Sequence, residues 1–189
     1  MATKSELEIE MKEYIDSRRD GHQLRELLNN ESADNRYCLL INVRRKFSAW
    51  TGAYRAAYNN DLESIRYMLD GFPSNKKYDV LKIQSSNCST PLHTAAYYGY
   101  SSIITYLMTD LSQQQMYDLL KIQDNAGDTA LHHAASNNRV KAYRVIFASV
   151  PYHLLVGLFN IKNNNGISAA DIRPKLNEEF PLSIAHDMI

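Results

Sequence analysis

The chain has 189 residues, 44% of them hydrophobic and 22% charged, the balance of one globular domain built around a continuous core. Lysine plus arginine number 21 and aspartate plus glutamate 21, so no net charge draws the chain to a phosphate backbone or to anionic lipid, and nucleic acid is excluded as a general partner. No apolar run reaches the roughly 18 residues of a membrane span, and the opening MATKSELEIEMKEY is charged with no apolar signal core, so a cytoplasmic protein is expected, made in cytosol or delivered into it.

Residues 1–45 are the least regular part. Glu6 to Arg18 reads as a helix with Leu7, Met11, Tyr14 and Ile15 on one face, and Asp20-Gly21 breaks it. His22 to Asn30 reads as a second helix carrying Leu24, Leu27 and Leu28. Tyr37-Cys38-Leu39-Leu40-Ile41 then echoes Tyr78-Asp79-Val80-Leu81 and Tyr117-Asp118-Leu119-Leu120, which makes this region a worn first repeat able to cover the end of a stack.

A strict period follows. Thr51-Gly52-Ala53-Tyr54-Arg55-Ala56-Ala57, Thr90-Pro91-Leu92-His93-Thr94-Ala95-Ala96, Thr129-Ala130-Leu131-His132-His133-Ala134-Ala135 and Ser168-Ala169-Ala170-Asp171-Ile172 start 39 residues apart. Each copy predicts a short inner helix bearing the Ala-Ala pair. A break at Asn60, Gly99 or Asn138 follows, residue types that tolerate a left-handed backbone. An outer helix comes next, with Ile65, Ile104 and Tyr143 in one apolar column, Met68, Leu107 and Ile146 in a second, and Leu69, Met108 and Phe147 in a third.

A third short helix is expected from near Ser74, Ser112 or Pro151 to near Ile83, Ile122 or Ile161. Ser112-Gln113-Gln114-Gln115 has the form of a capping box, and Pro151 suits a first helical residue. Turns rich in Asn, Asp and Gly lead back to the next Thr, and Gly127 is expected to need a positive φ. Pro174 ends the last copy, and Asn177 to Ile189 is expected to close the stack.

Thr90-Pro91-Leu92-His93 with Ala95, Ala96 and Gly99, and Gly127, Thr129, Leu131, His132, Ala134 and Ala135 after it, resemble the ankyrin repeat, whose period is about 33 residues. The resemblance covers residues 46–173 and more loosely 20–45, and departs by about six extra residues per copy, placed after the outer helix. It implies an all-α, ankyrin-like helical repeat solenoid with an extra short helix per repeat and helical end caps. The expected organisation is a single domain over residues 1–189: a degenerate N-terminal repeat and cap (1–45), repeats at 46–84, 85–123 and 124–162, and a partial repeat with a C-terminal cap (163–189). The long period, with Leu-Leu-Lys-Ile-Gln-Asp before the turn, is similar to ankyrin effectors that intracellular bacterial pathogens inject into host cytosol. A eukaryotic cytosolic adaptor is the alternative origin.

The resemblance also implies that His and Thr tie neighbouring repeats together, giving a Thr90, His93, Thr129, His132 network, weakened where Tyr54 and Asp171 replace the His. His22, His133, His153 and His186 are scattered singly, and no Cys–His pair has metal-ligand spacing. Cys38 and Cys88 fall in different copies, which disfavours a disulfide, and neither has a nucleophile signature, so a Cys/His hydrolase is the minor alternative. No Gly-rich phosphate loop is present. No catalytic residue, cofactor or metal is therefore assigned.

What remains is a surface for a protein partner, held by a monomer. In resembling proteins that surface is the concave side of turn tips and inner helices. Register places Phe47, Trp50, Tyr58 and Asn59 there, then Ser86, Asn87, Ser89, Tyr97 and Tyr98, then Asn125, Asp128, Ser136 and Asn137, then Asn164, Asn165 and Ile167. Trp50 and Tyr58 are read either as anchors or as packing against the N-terminal cap. Tyr97 and Tyr98 lie further from that cap and are the stronger anchors, because aromatic side chains bury much area with few rotors.

Overall fold

The computed structural model describes residues 4–17, 22–46 and 52–172. Three helices come first: α1 (Lys4–Ser17), α2 (His22–Asn29) and α3 (Ala33–Lys46). Three triplets follow, namely α4 (Gly52–Tyr58), α5 (Leu62–Leu69) and α6 (Ser74–Leu81); α7 (Pro91–Tyr98), α8 (Ser101–Met108) and α9 (Gln113–Leu120); α10 (Ala130–Ser136), α11 (Val140–Ala148) and α12 (Tyr152–Phe159). The short α13 (Ala169–Ile172) opens a fourth copy. Every helix of a triplet starts 39 residues after its counterpart, so the period in the sequence is the period of the structure. The only strand-like pairing among the described residues is one antiparallel bridge, Lys162 with Ser168.

Like packs on like. Inner helices α4, α7, α10 and α13 form one row, and the third helices α3, α6, α9 and α12 form another. Helix α1 lies against α4 and helix α2 against α5, so the first three helices stand in for a complete repeat at that end. Met11, Leu28, Leu39 and Leu40 are the buried side chains with which they cover α4 to α6. The alanine pairs at 56–57, 95–96 and 134–135 are buried, and their small side chains let inner-helix backbones approach closely. In the outer helices, Ile65, Ile104, Met68, Leu107 and Ile146 have no exposed surface. Burying one such side chain contributes about 2 kcal/mol, so the stripe of each outer helix outweighs the weak intrinsic stability of an eight-residue helix.

The breaks between inner and outer helices use the left-handed backbone that register predicted: φ is 58° at Asn60, 85° at Gly99 and 52° at Asn138. The turn tips repeat another left-handed position, with φ of 60° at Cys88, 77° at Gly127 and 76° at Gly166. At Gly127 a side chain is excluded twice over, since a Cβ would lie 2.7 Å from the Asn164 backbone nitrogen. The capping box at Ser112 forms as read: Gln115 N–H donates to Ser112 Oγ at 3.2 Å, and Ser112 N–H donates to Gln115 Oε1 at 2.9 Å. Pro151 stands one residue before α12, at its N-cap. Pro174, and the expected closing segment from Asn177 to Ile189, lie outside the described residues.

The Thr–His network differs from the expectation. Thr90 and His93 close a capping box within one repeat, the Thr90 N–H donating to His93 Nδ1 at 3.2 Å. With Nδ1 accepting, Nε2 carries the proton, and it lies 3.0 Å from the Ile122 carbonyl at the end of its own repeat and 3.2 Å from that of Asp128 in the next. His132 repeats this with Thr129 and the Ile167 carbonyl at 3.1 Å. The tie between repeats is thus imidazole to main chain, and no threonine crosses it. In the last copy Asp171 accepts from Ser168 N–H at 2.9 Å, which keeps the cap, but a carboxylate has no proton to pass onward.

Two cations do one job on successive outer helices. Lys77, buried on α6, donates to the carbonyls of Tyr106 at 2.9 Å and Thr109 at 2.8 Å at the end of α8, the first of which also accepts from the Thr109 N–H at 3.2 Å. Arg36 on α3 reaches the matching carbonyls of Tyr67 and Asp70 beyond α5. Burial holds the Lys77 ammonium below the usual lysine range.

Candidate functional site

A cavity of about 230 Å³ opens where inner helices α4 and α7 meet two turn tips. Tyr54 and Tyr58 come from α4, and His93, Thr94, Tyr97 and Tyr98 from α7. Asn87 and Ser89 come from one tip, Asp124 from the next, and His133 from α10. Tyr58, Tyr97 and Tyr98 follow the alanine pairs in the last turns of α4 and α7.

The rings form a continuous edge-to-face chain. Tyr58 lies 5.5 Å from Tyr98, Tyr98 5.0 Å from Tyr97, Tyr97 5.8 Å from His133, and His133 5.7 Å from His93, centroid to centroid. Tyr100 stacks on the outside of Tyr98 at 5.5 Å. These separations fall in the favourable range for aromatic pairs. Loss of water and a hydrogen bond with Tyr58 push the Tyr98 phenol up to about 12, so its hydroxyl stays neutral. Burial, with His133 nearby, lowers His93 to about 4, so the imidazole buried behind the cavity is neutral.

Asp124 is the one carboxylate in the wall. Its Oδ1 accepts the N–H groups of Ala126 at 2.9 Å and Asp128 at 3.0 Å, which shapes the turn. Its Oδ2 lies 2.8 Å from His133 Nε2. Asn163, 39 residues on, shapes the next turn in the same way, accepting from Asn165 N–H at 3.0 Å and Ile167 N–H at 3.1 Å. Asp124, Asp128 and His133 offer ligand atoms within 4.8 Å of one another, a spacing open to a divalent ion. Those atoms are already engaged, Asp128 Oδ1 accepting from Asn163 Nδ2 at 2.7 Å, so an ion there would have to break the turn-to-turn bonds.

The expected partner-binding residues divide. Tyr58, Asn87, Ser89, Tyr97 and Tyr98 line the cavity together. Asn59, Ser86 and Asn125 are exposed beside it, and the Asn125 main chain ties the tips, donating to the Asn87 carbonyl at 3.1 Å and accepting from Asn164 Nδ2 at 2.9 Å. Ser136 and Asn137 turn back on their own helix, to the carbonyls of His132 at 2.6 Å and His133 at 2.9 Å. Tyr58 packs against Tyr98 in the next repeat. Trp50 and Phe47 lie outside the described residues. The residues that sequence reasoning did not place on the surface are Tyr54, His93, Thr94, Asp124 and His133. The signal for Asp124 was its register with Asn163. Neither Cys38 nor Cys88 lines the cavity; both are free thiols.

Three helices per 39-residue unit, stacked inner on inner, with the Thr-x-x-His capping pair and glycine turn tips, define a helical repeat stack. The family described as ankyrin repeats (3 copies) matches residues 18–117 and 53–156, and the chain belongs to it. Among solved structures, it is similar to a chain of the yeast ribosomal protein Rps3 in complex with its chaperone Yar1, at 21% identity and a TM-score of 0.51, over 64% of this chain and 79% of that one. None of the curated proteins matches. The fold is shared by 232 solved chains, too many for the fold alone to name a partner. No helix among the described residues is long and apolar enough to cross a membrane.

Proposed function

We propose that this protein is a non-catalytic interaction module that holds a protein partner against the inner-helix and turn face, the concave side of an ankyrin stack. One observation carries the reading: the tyrosine chain on α4 and α7 opens to solvent at its centre, where Tyr97 is 44% exposed between half-buried neighbours. Large rings at a cavity mouth are the usual anchors of protein interfaces. Bonds between successive tips hold the face in one shape before any partner arrives: Gln84 Nε2 reaches the Gln123 carbonyl at 3.3 Å, and Gln123 Nε2 the Lys162 carbonyl at 2.9 Å. Little ordering entropy is then lost on association. In the solved neighbour a ribosomal protein is in complex with its chaperone, and a protein-binding role of that kind is proposed here.

The partner is to be sought in a eukaryotic cytosol, as a target of a secreted bacterial effector, because the long repeat with its Leu-Leu-Lys-Ile-Gln-Asp run is similar to that of injected effectors. The test is affinity capture from host-cell lysate with Tyr97→Ala and with Tyr97→Ala plus Tyr98→Ala. Both variants are expected to lose the partner. Tyr97→Ala alone leaves the melting temperature in place, whereas the double variant lowers it, because Tyr98 is wedged between Tyr58 and Tyr100. Full capture by both variants would remove this face from the reading.

A further inference from the structure

We propose that the cavity between α4 and α7 takes one arginine side chain of the partner, its guanidinium lying among the tyrosine rings and facing the Asp124 carboxylate. The inference rests on the proposed binding role of this face and names the chemistry it selects.

Volume sets the first limit. At about 230 Å³ the cavity falls below the roughly 300 Å³ at which small-molecule pockets begin, so it suits a single side chain better than a cofactor. The walls set the second. Tyr54, Tyr58, Tyr97 and Tyr98 supply aromatic rings to the wall, and a planar cation is held beside such rings better than a neutral amide is. The cluster already accommodates one guanidinium on its buried side, where Arg55 Cζ lies 5.8 Å from the Tyr58 ring centroid.

Charge sets the third. Asn163 makes the same turn as Asp124 without a charge, so the turn has no need of the carboxylate. What the carboxylate adds is a negative charge at the cavity wall, with His133 as its only side-chain partner among the bonds described. His133 Nε2 donates to Oδ2 and two backbone N–H groups to Oδ1, which leaves an acceptor position on Oδ2 for a further donor. Asn87 and Ser89 add neutral acceptors at the wall for the remaining guanidinium N–H groups.

The test uses the full chain and two capped pentapeptides, Gly-Gly-Arg-Gly-Gly and the same peptide with citrulline, which keeps shape and loses charge. Binding is read from tyrosine ring and His133 resonances. The arginine peptide is expected to give a saturable shift, and the citrulline peptide to bind about tenfold more weakly. Asp124→Asn, a change Asn163 shows the turn to tolerate, is expected to bring the arginine peptide down to the citrulline level with the melting temperature held. Equal binding of the two peptides, or no saturable shift with arginine, overturns the proposal on the native chain alone. A lysate partner captured equally by wild type and Asp124→Asn, yet lost by Tyr97→Ala, sinks the arginine site and leaves the interaction face standing.

Discussion

His93 Nε2 lies 3.2 Å from the carbonyl oxygen of Asp128, 35 residues further along the chain, and this bond ties the second triplet to the tip that opens the third. The Thr90 N–H donates to the other ring nitrogen, Nδ1, which can accept only while the ring is neutral. The folded His93 titrates near 4 against an ordinary 6.5, so its contribution is fully present above pH 6.5. It is lost as pH falls towards 4, because the unfolded chain takes up the proton first. His93→Asn keeps an acceptor for the Thr90 cap, as Asp171 does for Ser168, but it neither titrates nor reaches the next repeat. The variant should be about 2 kcal/mol less stable at pH 7. The stability of wild type relative to the variant should fall by an amount on the order of 3 kcal/mol between pH 6.5 and 4, so the gap closes and reverses sign. Urea titrations at several pH values measure it, and a constant gap would rule out this account of His93.

Gly127→Val places a branched side chain at a φ of 77° and drives its Cβ to 2.6 Å from Asn164 Oδ1. A cost of about 3 kcal/mol or more is expected, from backbone strain plus the broken contact between tips. Ala126→Val, one residue earlier at an exposed position, should cost about 0.5 kcal/mol or less. Thermal melts of the two variants decide the matter, and equal losses would mean the tip does not carry the contact.

Cys88 occupies the tip position that is glycine at 127 and 166, with φ of 60°. An L-residue pays roughly 1 kcal/mol there, only partly offset by the greater freedom glycine has in the unfolded chain. Cys88→Gly is therefore expected to raise the melting temperature slightly. A fall would show that the thiol makes packing contacts worth more than the relieved strain.

Lys77→Met removes the buried ammonium that closes the end of α8. The Thr109 carbonyl loses its Lys77 donor and that of Tyr106 is left with the Thr109 N–H alone, at a cost of about 2 kcal/mol. The register-matched residue of the next copy is Met116, so a methionine is sterically acceptable at this position. Amide exchange should quicken in the last turn of α8 before it does in α7. Unchanged exchange there would mean water serves the carbonyls as well as Lys77 does.

The spacing of residues by itself determined the architecture. A period of 39 assigns every apolar column to an inner, outer or third helix, because a stack buries its faces only if each unit presents the same face at the same interval. The left-handed breaks at Asn60, Gly99 and Asn138 were legible for a similar local reason, since few residue types accept that backbone. Only tertiary structure decided what the repeats do to one another. Register aligns Tyr58 with Tyr97, yet Tyr58 packs on Tyr98, because contact depends on the direction of the side chain from a helix end and not on its column. His93 bonds to main-chain carbonyls, which carry no residue identity that a sequence can display. The cavity joins Tyr58, Tyr97, Asp124 and His133 from three successive units, and that convergence is set by the close approach of the alanine-faced helices beneath it.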